Sequence, residues 1–177
     1  MHLKAWAACA TAVLLAGALV RADEVLRIVP ITHGNDVLVS FELADAYSTD
    51  IREAISSGLR TTFSYDVELR MHVPAWVDRT VAASVVSVTD QYDNLTRRHT
   101  LSRMIDGHVE ETLLTEDESI VRRWLTTWDR LLLCHTSKLE QSRDYYVRIN
   151  ARTRPHGTSL LGLTDVVTGQ AKFTFIP

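Results

Sequence analysis

Thr62-Phe63-Ser64-Tyr65-Asp66-Val67-Glu68-Leu69-Arg70-Met71-His72-Val73 is the stretch that decides the fold. Phe63, Tyr65, Val67, Leu69, Met71 and Val73 are apolar, and the residues between them are polar or charged. Successive side chains of a strand point to opposite faces, so a period of two marks a strand with one buried and one wet face. Pro74 follows, and its missing N–H stops the ladder there.

Working outward, Val81 to Tyr92 reads as the next strand. Asp93-Asn94 reads as a two-residue turn, which sets Asp90 opposite Arg97 and Val86 opposite Leu101. Asp106-Gly107 is a second hairpin turn. It sets Met104 opposite Val109 and Arg103 opposite Glu110. Opposite charges and apolar pairs then face each other, as cross-strand pairing favours. Residues 61 to 114 therefore form an antiparallel meander of four strands.

Before the meander, a turn at His33-Gly34-Asn35-Asp36 leads into a strand at Val37 to Leu43. Ser48 caps a short helix with Ile51, Ala54, Ile55 and Leu59 on one face, and Gly58 takes its left-handed end. After the meander, Thr115-Glu116-Asp117-Glu118 is a capping box. It opens a helix whose stripe is Ile120, Val121, Trp124, Leu125 and Trp128. Leu131 to His135 and Asp144 to Thr153 are further strands. Pro155 to Ser159 is a loop, and Ala171, Phe173 and Phe175 mark a last strand. The fold class is mainly β (α+β), an antiparallel β-sandwich or strongly curved sheet carrying two short helices.

The N-terminus reads as an export leader. Met1 to Lys4 is short and positively charged, Ala5 to Val20 is an uncharged run of 16 residues, and Val20-Arg21-Ala22 ends in a small residue. A membrane-spanning helix needs about 20 apolar residues. The expected organisation is a signal peptide over 1–22, cut after Ala22, and a single β-rich domain over 23–177. The expected location is periplasmic or secreted, with no stable membrane insertion after cleavage. Removing 22 of 177 residues takes Lys4 and Arg21 with it, leaving 17 basic against 22 acidic residues and a net charge of −5. An acidic surface is a poor match for nucleic acid. Cys9 leaves with the leader, so Cys134 has no partner for an internal disulfide; after Leu131-Leu132-Leu133 it reads as a buried small hydrophobe.

Catalytic patterns are missing from the sequence. It has no HExxH, CxxC, GxSxG, GxGxxG or phosphate loop. Neither a cofactor nor a metal is expected, and no catalytic residue is assigned. Arg148, Arg152 and Arg154 share one strand face with Tyr146, an arrangement that suits an anion or an acidic partner unless Glu68 and Asp66 balance it. Trp76, just past Pro74-Ala75, is the least constrained tryptophan. These five residues are the candidate binding set. An eight-stranded outer-membrane barrel is set aside, because capped helices do not belong in its wall and charged alternate positions leave no lipid-facing band.

Val39-Ser40-Phe41-Glu42-Leu43, Ile55-Ser56-Ser57-Gly58-Leu59, the strand from Phe63 to Arg70, Trp76-Val77-Asp78, Tyr92-Asp93-Asn94-Leu95-Thr96 and Tyr145-Tyr146-Val147-Arg148-Ile149 together resemble the bacterial exported domain-of-unknown-function family 4390, over about residues 37 to 154. The family carries no assigned activity, so no catalytic residues transfer. The resemblance implies a bacterial envelope protein, accessory to signalling through a membrane sensor kinase. The expected function is a non-enzymatic binding or adaptor module with an envelope protein as partner. One alternative is a hydrolase using a histidine such as His72 or His99 with a carboxylate. The other is a structural envelope protein.

Overall fold

The computed structural model describes residues 25–155 and 166–175, without the side chains of residues 154, 155 and 174. The expected leader lies outside the described residues, as do positions 156–159 of the expected loop. In chain order the elements are β1 (Leu26–His33), β2 (Asp36–Leu43), α1 (Thr49–Ser56), β3 (Thr61–Met71), β4 (Arg79–Asp93), β5 (Arg98–Ile105), β6 (His108–Thr115), α2 (Glu118–Thr126), β7 (Thr127–His135), β8 (Asp144–Pro155) and β9 (Val166–Thr174). The strands form two antiparallel sheets, one of three strands in the order β1-β2-β7 and one of six in the order β6-β5-β4-β3-β8-β9.

β3 and β8 carry the regular alternation read from the sequence. Phe63, Tyr65, Val67 and Leu69 are buried beside Tyr145, Val147, Ile149 and Ala151. Val37, Val39 and Phe41 of β2 supply the other side of the same core, with the Phe41 and Tyr65 ring centroids 4.8 Å apart across the two sheets. The meander β3-β4-β5-β6 is present as expected. Gly169 of β9 lets β1 lie close, since an added Cβ there would meet Leu26 Cδ2 at 3.0 Å and Leu26 Cβ at 3.2 Å.

Local signals fix both helices. The Ser48 hydroxyl accepts from the Ile51 N–H at 3.3 Å, and Gly58 takes φ +83°. α2 begins two residues later than expected. Asp117, not Thr115, is its N-cap and accepts from Ser119 N–H at 2.8 Å, while Thr115 Oγ1 accepts from Asp117 N–H. Trp128 is buried, but as an inward residue of β7 opposite Phe41 rather than as the last of a helical stripe.

The β4–β5 register also differs. The Asp93 carboxylate accepts from Leu95 N–H at 2.8 Å and Thr96 N–H at 3.3 Å, and Arg97 takes φ +58°. That local bonding stretches the turn, so Asp93 pairs with Arg98, Asp90 with Leu101 and Val86 with Ile105. Asp90 is therefore fully buried instead of facing Arg97, and His99 Nδ1 meets it at 2.9 Å. At the next hairpin Met104 faces Val109 as expected, but a bulge puts Arg103 opposite Glu111 rather than Glu110. β1 is an addition to the sequence reading. Pro30 sits in it without harm, because β1 is an edge strand of its sheet. Cys134 is buried against Val37, and its thiol pKa is raised by that burial, while His135 faces out and meets Asp36 at 2.7 Å.

Candidate functional site

The register of β3, β8 and β9 gathers polar side chains at one end of the large sheet. Tyr146 lies between Arg70 and Lys172, and Arg148 lies between Glu68 and Gln170. β3 ends two residues before the expected position. There His72 N–H donates to Asp144 C=O at 2.9 Å, and the chain leaves the sheet as a loop to Asp78. Pro74 prevents its return to the ladder. The loop turns through a Trp76 N–H bond to Val73 C=O at 3.1 Å, with Ala75 at φ +61°.

Asp78 locks this loop. Its Oδ1 accepts from Val73 N–H at 3.2 Å and lies 3.0 Å from His72 Nδ1. Its Oδ2 accepts from the Tyr146 hydroxyl at 2.7 Å, and its backbone carbonyl accepts from Arg70 at 3.0 Å. The Tyr146 hydroxyl and then the Val73 N–H hold the Asp78 carboxyl below its ordinary range. Burial, followed by the hydrogen bond to Asp78, pushes the Tyr146 hydroxyl up. Beside the loop opens a cleft of about 570 Å³ lined by His72, Asp78, Tyr146, Gln170, Lys172 and Phe173, among others.

The lowered carboxyl makes the lock sensitive to acid. A folded pKa below the unfolded one stabilises the fold above the unfolded value, about 3.9, and this contribution is lost as pH falls through the folded value. We expect Asp78→Asn to melt below wild type at neutral pH, with the gap closing towards pH 2. Melting temperatures measured across this range check it, and a constant gap would exclude the titration of Asp78.

Of the five residues expected from the sequence, Tyr146 lines the cleft, and Trp76 stands on the loop that borders it. Trp76 is 81% exposed and its neighbour Val77 74% exposed. Arg148 reaches Glu68 at 2.8 Å, and Arg152 is paired with Asp66. These two arginines are thus engaged by carboxylates of β3 and form a neutralised border rather than an open anion site. Arg154 pairs with Thr62 through β8, and its side chain lies outside the described residues. Sequence reasoning did not assign Asp78, Gln170, Lys172 or Phe173 to the site. The first follows Trp76-Val77 directly and closes the loop after Pro74, which is a usable signal. The other three reach the cleft through the pairing of β8 with β9.

Both histidines named for hydrolytic chemistry have a carboxylate: His72 has Asp78, and the buried His99 has Asp90. No serine or cysteine lines the cleft among the described residues. Among those residues no group of three side chains is placed to hold a metal ion, and no helix is long and apolar enough to cross a membrane.

No curated protein and no solved structure matches this chain. The sequence model of the domain of unknown function DUF4390 matches residues 23–157, which is most of the chain, and the chain belongs to that family.

Proposed function

We propose that this protein is an exported, non-enzymatic binding module of the bacterial envelope, and that it docks on a partner protein through Trp76 and Val77. The observation that carries this is a large apolar pair, almost fully exposed, on a loop that Asp78 holds rigid. Tryptophan is among the residues that dominate binding energy at interfaces. A loop already fixed by hydrogen bonds loses little further entropy when it binds. The cleft beside it offers His72, Lys172 and Gln170 for polar contacts at the rim of such an interface. Export is supported by the leader-like start, and the family match beginning at residue 23 is consistent with a cut after Ala22. An accessory role in envelope signalling would place the partner in or on the membrane.

Trp76→Ala tests the reading. With the partner isolated by gentle purification and identified by native mass, the variant should bind about 30-fold more weakly, the size of a typical interface hot spot of about 2 kcal/mol. Its melting temperature should change little, because Trp76 is 81% exposed. Undiminished binding would remove Trp76 from the interface and sink the proposal.

A second reading has one observation in its favour. His72 Nδ1 on Asp78 is the arrangement that orients an imidazole as a general base, and it lies in the cleft. A hydrolase of this kind would lose its activity in His72→Ala and keep it in Trp76→Ala.

A further inference from the structure

The charges around the cleft do not all find partners. Glu68 takes Arg148 at 2.8 Å and Arg70 at 3.5 Å. The Asp78 carboxylate is occupied by Val73 N–H, His72 and the Tyr146 hydroxyl. Two carboxylates thus balance two guanidinium groups, and their charge is spent inside the protein. On β9, Lys172 is set beside Tyr146 and Gln170 beside Arg148, and both are exposed. Among the described residues neither side chain has a hydrogen bond or an ion pair. Arg70 and Arg148 each keep a buried Nε–H without an acceptor. The uncompensated charge on the Gln170 side of Lys172 is therefore positive. Asp144 lies one row to the other side of Lys172.

We propose that the cleft receives an acidic side chain, a glutamate, of the docked partner, with its carboxylate bound by Lys172 Nζ and the Gln170 amide. This inference rests on the docking reading above, because it extends the same interface. β9 lies two strand spacings from β3, about 10 Å. A partner surface that covers Trp76, just past the end of β3, therefore reaches Lys172 without a break. A basic side chain fits worse, since Asp78 already accepts three hydrogen bonds and Lys172 repels it. Tyr146 and Phe173 line the cleft and give the glutamate methylenes an apolar wall. The volume of about 570 Å³ accommodates the side chain easily. Asp144 repels a carboxylate and so directs it to the Gln170 side. Charge complementarity of this kind selects the partner and its register, while Trp76 supplies most of the affinity.

The probe is N-acetylglutamate N-methylamide, which carries a side-chain carboxylate and no charged termini. Its binding to the purified protein is followed by NMR through the side-chain signals of Gln170 and Lys172. The expected dissociation constant is on the order of 10 mM, as a few charge-assisted hydrogen bonds provide. The neutral glutamine analogue should bind at least about tenfold more weakly, and Lys172→Glu should weaken the probe by about tenfold or more. Trp76→Ala should leave probe binding as it was. Lys172→Glu should also weaken the isolated partner by about tenfold or more and keep the wild-type melting temperature, because Lys172 is exposed and unpaired. Arg60 and Arg97 are exposed cations without an ion pair among the described residues, and they serve as controls. Equal responses at those two arginines would reveal ion association anywhere on the surface and overturn the inference. Binding of the corresponding lysine derivative in place of the glutamate would overturn it too. A partner weakened by Trp76→Ala but indifferent to Lys172→Glu removes the carboxylate site and leaves the docking reading standing. A partner indifferent to Trp76→Ala removes the docking reading, and this inference with it.

Discussion

Replacing Tyr65 with alanine should lower the unfolding free energy by about 4 kcal/mol, as for a large side chain removed from a close-packed core. Tyr65 is 1% exposed and touches three layers at once. It belongs to β3 of the large sheet, and its ring packs on Phe41 of the small sheet. Its hydroxyl donates to Leu125 C=O at 2.6 Å. That carbonyl is in the last turn of α2, where no helical N–H remains to satisfy it. Burial raises the hydroxyl's pKa, so it stays protonated and remains a donor. Tyr65→Phe separates the two contributions. It keeps the ring and leaves Leu125 C=O buried without its donor, at a cost of about 1–3 kcal/mol. Urea unfolding of both variants checks this, and equal losses would show that the ring contact between the sheets contributes nothing.

Arg103→Ala should cost about 3 kcal/mol, from the loss of two partly desolvated cation–π contacts and a charged hydrogen bond. The Arg103 guanidinium lies 4.4 Å from the Trp124 ring centroid and 5.0 Å from that of Trp128. It donates to Thr127 C=O at 2.9 Å. It therefore braces the point where α2 runs straight into β7. Burial lowers its pKa, with Glu111 and Asp129 opposing that shift. Arg103→Lys keeps the charge but loses the flat surface that stacks between two indoles, and should recover less than half of the loss. Full recovery with lysine would show that charge alone matters there.

How far the fold is legible depends on whether a signal is local. The alternation in β3 and β8, the Ser48 cap, Gly58 and the Asp106-Gly107 turn all act over a few residues, and each appears where it was read. β1 has no clear local signal, since Pro30 lies in its middle and removes a donor from the ladder. That loss is harmless only at a sheet edge, and edge position is a property of the whole topology. The turn after Asp93 went astray because the Asp93 side chain bonds the backbone ahead of it, which residue spacing does not show. Trp128 continues a helical stripe in spacing, yet it belongs to β7, and either role would bury it. At the site, Tyr146 and Trp76 were visible as an outward and an unconstrained aromatic. Their companions Asp78 and Lys172 are 94 positions apart, and only the β3–β8–β9 register brings them to one cleft.

The meeting of β1 and β9 has a consequence for how the chain comes to be folded. Leu26 and Ile28, near the start, are seated against Gly169, near the end, and β2 finds its second neighbour only in β7. A ribosome delivers these strands in order, and a secretion channel would do the same. Leu26 and Ile28 must wait for this seat until Gly169 has emerged. Pairings between such distant segments form slowly. Until then the seam between β1 and β9 cannot close, although the neighbouring strands of the meander β3-β4-β5-β6 can already pair.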